Sequence, residues 1–153
     1  METKVGDMTR IDVRLDLPHP IDHVWDRLTD WGSHSAWIPN TVVTVTTATA
    51  GIGTEFVGIT RIGPLRLDDP MTVSEFEPPV NGSASCVVTK TGQVLGGPAG
   101  FTLTGLGDSS TRLDWFEDVH LRPAGLFWWT APFVLVVGTI AFRSVLKSFA
   151  RTL

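Results

Sequence analysis

The chain of 153 residues contains no tyrosine and a single cysteine. With one thiol, Cys86, an internal disulfide framework is excluded, and so is a thiolate metal site. In the absence of tyrosine, six tryptophans and eight phenylalanines carry the aromatic surface. That set favours large apolar contacts with few phenolic hydrogen bonds. A basic excess is also missing. Twelve Lys and Arg stand against 16 Asp and Glu, a net charge of −4. A nucleic-acid partner, which needs a basic face, is therefore not expected. The opening METKVGDMTR lacks the apolar run of a secretory leader, so the expected compartment is the cytoplasm. No internal repeat, low-complexity linker or second domain is visible, and the length suits one domain, 1–153, with a real core.

The stretch from Arg122 to Leu153 organises the rest. No residue from Pro123 to Phe142 is charged, a run long enough to raise the question of a membrane span. The second half of the stretch answers differently. Arg143, Lys147 and Arg151 recur every four residues, while Val145, Leu146, Phe149 and Leu153 occupy the other face. This is the periodicity of an amphipathic helix. Pro132 suits its first turn, so the pattern predicts one helix from about Pro132 to the end. Its early part, Phe133 to Val137, is apolar all round and must face protein, line an apolar cavity or enter lipid. The reading adopted is a soluble protein. The alternatives are membrane association along 123–142, as an anchor or interfacial helix, and a protein-interaction patch giving a homodimer through Phe127 to Trp129.

Ahead of that helix, Met8 to Leu17 alternates strictly and predicts a strand with one buried face. Pro18 and Pro20 end it. In IDHVWDRLTDW, the residues Ile21, Val24, Trp25 and Leu28 share one helix face; Gly32 is read as the break, and SHSAWIPN as a turn or second small helix stopped by Pro39. From Thr41 the chain is β-rich. TVVTVTT, TEFVGITRI, LRLDDPMTVSEFE, SASCVVTKT, GQVLGGPAGFTLTGL and STRLDWFEDVHL read as strands, separated by Gly63-Pro64, Pro78-Pro79, Asn81-Gly82, Thr91-Gly92 and Gly107-Asp108. Links this short favour antiparallel hairpins. The predicted class is α+β: one antiparallel sheet of about seven strands curled around a long C-terminal helix, with two short helices after the first strand. A gap between sheet and helix, lined by Trp and Phe, is a ligand pocket by default.

PHPIDHVWDRLTDWGSHSAWIPN resembles the first helix pair of the START-like, birch-allergen-like superfamily. The matching features are Pro18, Val24-Trp25, Leu28 to Asp30, and Trp37 to Pro39. GIGTEF, DPMTVSEFEPP and TRLDWFEDVHLRPAG are similar to further segments, in the polyketide cyclase/dehydrase and lipid transport subgroup. The resemblance covers nearly the whole chain and rests on the order and spacing of its motifs. It implies a helix-grip fold with a hydrophobic cavity, in a superfamily whose members bind, carry or transform apolar molecules.

The expected ligand is a small hydrophobic molecule, a lipid, polyketide or aromatic. Trp25, Met71, Trp115, Phe127, Phe133 and Val137 are the expected lining, with Trp37 at the mouth. Glu117 is the expected lone inward carboxylate, because it shares a strand face with Leu113, Trp115 and Val119. An anchor of that kind needs a partner or a raised pKa; the plainer reading puts Glu117 at the rim, paired with an Arg such as Arg61. His34 near the mouth could move protons or simply be solvated. His19 and His23 lack a third ligand, so no metal site is expected. GIGT at Gly51 to Thr54 is followed by a strand and is no phosphate loop. Asp68 and Asp69 point to opposite sides of a strand. No catalytic motif and no cofactor are recognised, and an enzyme of the cyclase or dehydratase type stands as the alternative to a carrier.

Overall fold

The computed structural model describes residues 9–47, 49–92, 95–121 and 131–153. Strand β1 is Thr9–Leu17, followed by helix α1, Ile21–Thr29, and a short 3-10 helix, Trp31–Ala36. Six strands come next: β2 Thr41–Val45, β3 Glu55–Ile62, β4 Leu65–Val80, β5 Ser83–Thr91, β6 Leu95–Gly105 and β7 Thr111–Leu121. Helix α2, Ala131–Ala150, follows the sheet. The seven strands form one curved sheet in the order β1-β7-β6-β5-β4-β3-β2. Every neighbouring pair is antiparallel. The α+β class, the strand number and the helix positions are those the sequence predicts.

Two boundaries differ from expectation. The break after α1 falls at Asp30, and Gly32 lies within the 3-10 helix. Strand β4 runs through Pro78 and Pro79 to Val80, so the turn before β5 is Asn81-Gly82 alone. Those two residues have φ of 52° and 75°, as a type I′ hairpin turn requires at both centres. The prolines are tolerated because β4 slips register between Glu77 and Val80, where ladder pairing is interrupted.

One face of the sheet is apolar because each strand alternates. Ile11, Val13 and Leu17 of β1 are buried, as are Ala84, Cys86 and Val88 of β5, Ala99, Phe101 and Leu103 of β6, and Leu113 of β7. Simple alternation along β4 would carry Asp69, Met71 and Val73 on to Glu75 and Glu77 on the same face. A bulge prevents this. Val73 pairs with Val88 but Glu75 pairs with Val87, leaving Ser74 over. The phase shifts by one residue, Glu75 and Glu77 stay exposed, and Phe76 turns in opposite Cys86.

The helices cover that face. On α1, Val24, Trp25 and Leu28 are buried. The Trp25 ring meets Phe76 edge-on at 5.0 Å and Phe101 at 5.8 Å. Helix α2 lies against β1 and is fastened by Leu146 and Phe149. The Phe149 ring meets Trp37 at 5.1 Å, which ties α2 to the segment after the 3-10 helix. Arg143, Lys147 and Arg151 are exposed, on the face their spacing predicts. Among the described residues no helix is long and apolar enough to cross a membrane. The whole of 122–130, with Phe127, lies outside the described residues, as do the side chains of 131–139, including Phe133 and Val137.

Phe149 is fully buried, so Phe149→Ala should lose about 3–5 kcal/mol of stability in urea unfolding. Lys147→Ala, on the exposed face, should stay within about 0.5 kcal/mol of the parent. Equal losses for the two would contradict this docking of α2.

Candidate functional site

The inner face of the sheet is apolar toward β1 and α1 and becomes charged at one end. Lys90 continues the inward row of Ala84, Cys86 and Val88 on β5. Asp69 and Met71 precede Val73 on the inward row of β4, and Met71 is the cross-strand partner of Lys90. Glu117 follows Leu113 and Trp115 on β7, opposite Ala99 of β6. Between Lys90 and Glu117 the inner positions of β6 are Gly97 and Ala99. Both are too small to block the gap, so the Lys90 side chain can lean across β6.

It does. Lys90 Nζ donates a hydrogen bond of 2.6 Å to Asp69 Oδ2 and lies 4.0 Å from Glu117 Oε2. The second distance is an ion pair but too long for a hydrogen bond. Lys90 and Glu117 are each only 7% exposed. The thioether of Met71 also sits 4.0 Å from Nζ. Among the described residues no other cation pairs with either carboxylate. Two buried polar atoms in this region have no hydrogen-bond partner there, Asp69 Oδ1 and Trp115 Nε1. Trp115 is half-buried and stacks on Phe101 at 5.9 Å.

The electrostatics follow from burial. Loss of solvent raises the Glu117 carboxyl to about 6; Lys90 opposes the rise and Asp69 adds to it. The Trp115 indole N–H also favours the anion, although its geometry falls short of a hydrogen bond. Burial works against the charged form of Lys90, and Glu117 and Asp69 more than offset it, so the net shift of the ammonium is upward. Lys90 is therefore a fixed cation near neutral pH. Glu117 can hold or release a proton there, which lets it anchor a polar group or act as an acid or base.

Glu117 is inward and buried, as β7 alternation predicts, but its partner is Lys90; Arg61 is exposed on β3. Glu117 is also not the lone inward carboxylate, because Asp69 joins it. Of the expected lining, Met71 and Trp115 stand with this cluster, both half-buried. Trp25 lies in the core beneath α1. Trp37, expected at a mouth, is 4% exposed and packed against Phe149 and His34. Sequence reasoning missed Lys90 and Asp69. The signal was present, since Lys90 is in phase with Ala84, Cys86 and Val88.

His34 belongs to the core. Its Nε2 lies 2.7 Å from the Leu28 carbonyl oxygen, which can only accept, so Nε2 carries the proton. Burial pushes its pKa down to about 4. The Cys86 thiol is pushed up to about 12, first by burial and then by Glu75, and is unreactive. Among the described residues no group of three or more His, Cys, Asp or Glu could hold a metal ion. A cleft of about 480 Å³ along β1 and β7 is lined by Arg10, Asp12, Arg14, Asp114, Phe116 and Arg143, among others. Its lining is mostly charged, unlike an apolar ligand pocket.

No protein-family profile and no curated protein matches this sequence. Solved structures do match it. A START superfamily protein from Mycobacterium smegmatis is similar over 94% of this chain and 96% of its own, with a TM-score of 0.74 and 12% identity. The Zhui aromatase/cyclase from Streptomyces sp. R1128 is similar over 94% of both chains, at a TM-score of 0.70 and 16% identity. Human STARD10 is similar over 95% of this chain but 65% of its own, at 0.73 and 13%. The chain has the START-like helix-grip fold that these proteins share.

Two buried titratable groups shift in opposite directions, and their effects on stability differ in sign. Glu117, raised to about 6, favours folding below the ordinary glutamate range; that contribution is lost as pH rises from about 4.5 to 6. Glu117→Gln should therefore gain stability relative to the parent over that window, by about 2 kcal/mol. His34, lowered to about 4, contributes above about 6.5 and is lost as pH falls toward 4, by about 3 kcal/mol. His34→Phe should remove that acid sensitivity. Urea unfolding at a series of pH values measures both, and parent-like pH slopes in the two variants would contradict the assignment.

Proposed function

We propose that the protein binds a small hydrophobic molecule between the curved sheet and α2, working as one helix-grip domain in the cytoplasm. One observation carries the reading. Asp69, Lys90 and Glu117 form a buried charge cluster on the apolar face of the sheet, with Asp69 Oδ1 and Trp115 Nε1 left without partners among the described residues. Buried polar groups are ordinarily paired, and a polar group of a ligand would meet this unmet capacity. The half-buried Met71 and Trp115 beside the cluster offer apolar contact. A lipid, polyketide or aromatic with one polar end fits that description.

The second reading is an enzyme of the cyclase or dehydratase type. It is favoured by a carboxyl poised near neutral pH beside a fixed ammonium, and the fold hosts an aromatase/cyclase in Zhui.

Native mass spectrometry of freshly purified protein tests the proposal. A co-purified apolar molecule is the expected outcome, and Glu117→Gln should reduce its occupancy by roughly tenfold or more, the scale of a lost hydrogen bond to a charged group. A carrier releases that molecule unchanged, whereas an enzyme converts it. A ligand-free protein forming a tight dimer would instead support the interaction module and overturn the carrier reading.

A further inference from the structure

The cluster also constrains the chemistry of the ligand, an inference that rests on the carrier reading above. Asp69 and Glu117 bring two negative charges to the site and Lys90 brings one positive charge, a net of −1 when all three are ionised. Lys90 is already committed to Asp69 at 2.6 Å. Its side chain is 7% exposed, and both carboxylates are largely withdrawn from solvent, at 16% and 10%. An incoming carboxylate, sulfate or phosphate would add a third negative charge where water screens little, and like charges at close range resist joint ionisation.

The unmet groups say what would be welcome. Among the described residues Asp69 Oδ1 is an acceptor without a donor. Glu117 stands beyond hydrogen-bonding distance of Lys90 and retains acceptor capacity. Both need an O–H or N–H group. Trp115 Nε1, a donor only, needs an oxygen. A carbonyl alone could satisfy only the indole, and a hydroxyl can satisfy either kind. We infer that the polar end of the ligand is a hydrogen-bond donor without negative charge, such as a hydroxyl, and that the site selects against anionic amphiphiles such as fatty acids.

The test uses three probes of similar size: naphthol, naphthalene and naphthoate. They are titrated at about pH 7.5, where naphthol is neutral and naphthoate is an anion, into nitrogen-labelled protein, with binding followed by amide chemical shifts. Naphthol should bind at least about tenfold more tightly than either of the others, the scale of one charge-assisted hydrogen bond. Glu117→Gln should narrow the gap between naphthol and naphthoate. Asp69→Asn should do the same and serves if the first variant does not fold. Naphthoate binding as tightly as naphthol, or naphthalene doing so, overturns the inference and leaves the carrier reading standing. An unchanged gap in a folded variant overturns the inference as well. If none of the three probes shifts any resonance, the carrier reading itself fails.

Discussion

A sheet that is apolar on one face persists in water only when something covers that face, and this constraint governs the whole chain. Here seven strands present Ile11, Val13, Val43, Phe56, Val73, Cys86, Phe101 and Leu113 to one side. The cover comes in two pieces. Trp25 and Leu28 of α1 seal one part, and Leu146 and Phe149 of α2 seal another. Trp37, buried between Phe149 and His34, joins the two pieces. The same requirement explains the bulge at Ser74, which keeps Glu75 and Glu77 off the covered face.

Against that background a lysine and two carboxylates on the covered face are a conflict. Breaking a buried ion pair is costly, yet such pairs add little net stability over apolar packing. Val or Leu at these positions would serve the core as well. Among the described residues the cluster instead leaves Asp69 Oδ1 without a partner, and burial raises the Glu117 carboxyl to about 6. Buried charge that apolar packing does not require, gathered in one place on the covered face, is the feature from which the ligand site is proposed.

Much of this was legible in the sequence, for reasons that vary by element. The alternation of β1 and β7 gave their inward faces directly, and with them the burial of Glu117. The spacing of Arg143, Lys147 and Arg151 gave the exposed face of α2. The partner of Glu117 was less accessible, because strand order and register bring Lys90 near it across β6, and neither is local. A lysine near the end of a strand is ordinarily exposed, which hides the inward phase of Lys90. The Ser74 bulge was illegible because an alternation rule assumes a constant phase. His34 lies within, and Trp37 just after, a six-residue 3-10 helix too short to carry an amphipathic period, so their direction depended on tertiary packing.

The charged end of the inner face is the place proposed for docking of a ligand's polar group. A crystal structure of the complex with naphthol tests it most directly. The naphthol oxygen is expected within about 3 Å of an Asp69 or Glu117 carboxylate oxygen, with its ring against Met71 and Trp115. A naphthol seated in the charged cleft along β1 and β7, or on the inner face with its oxygen turned away from both carboxylates, would contradict it.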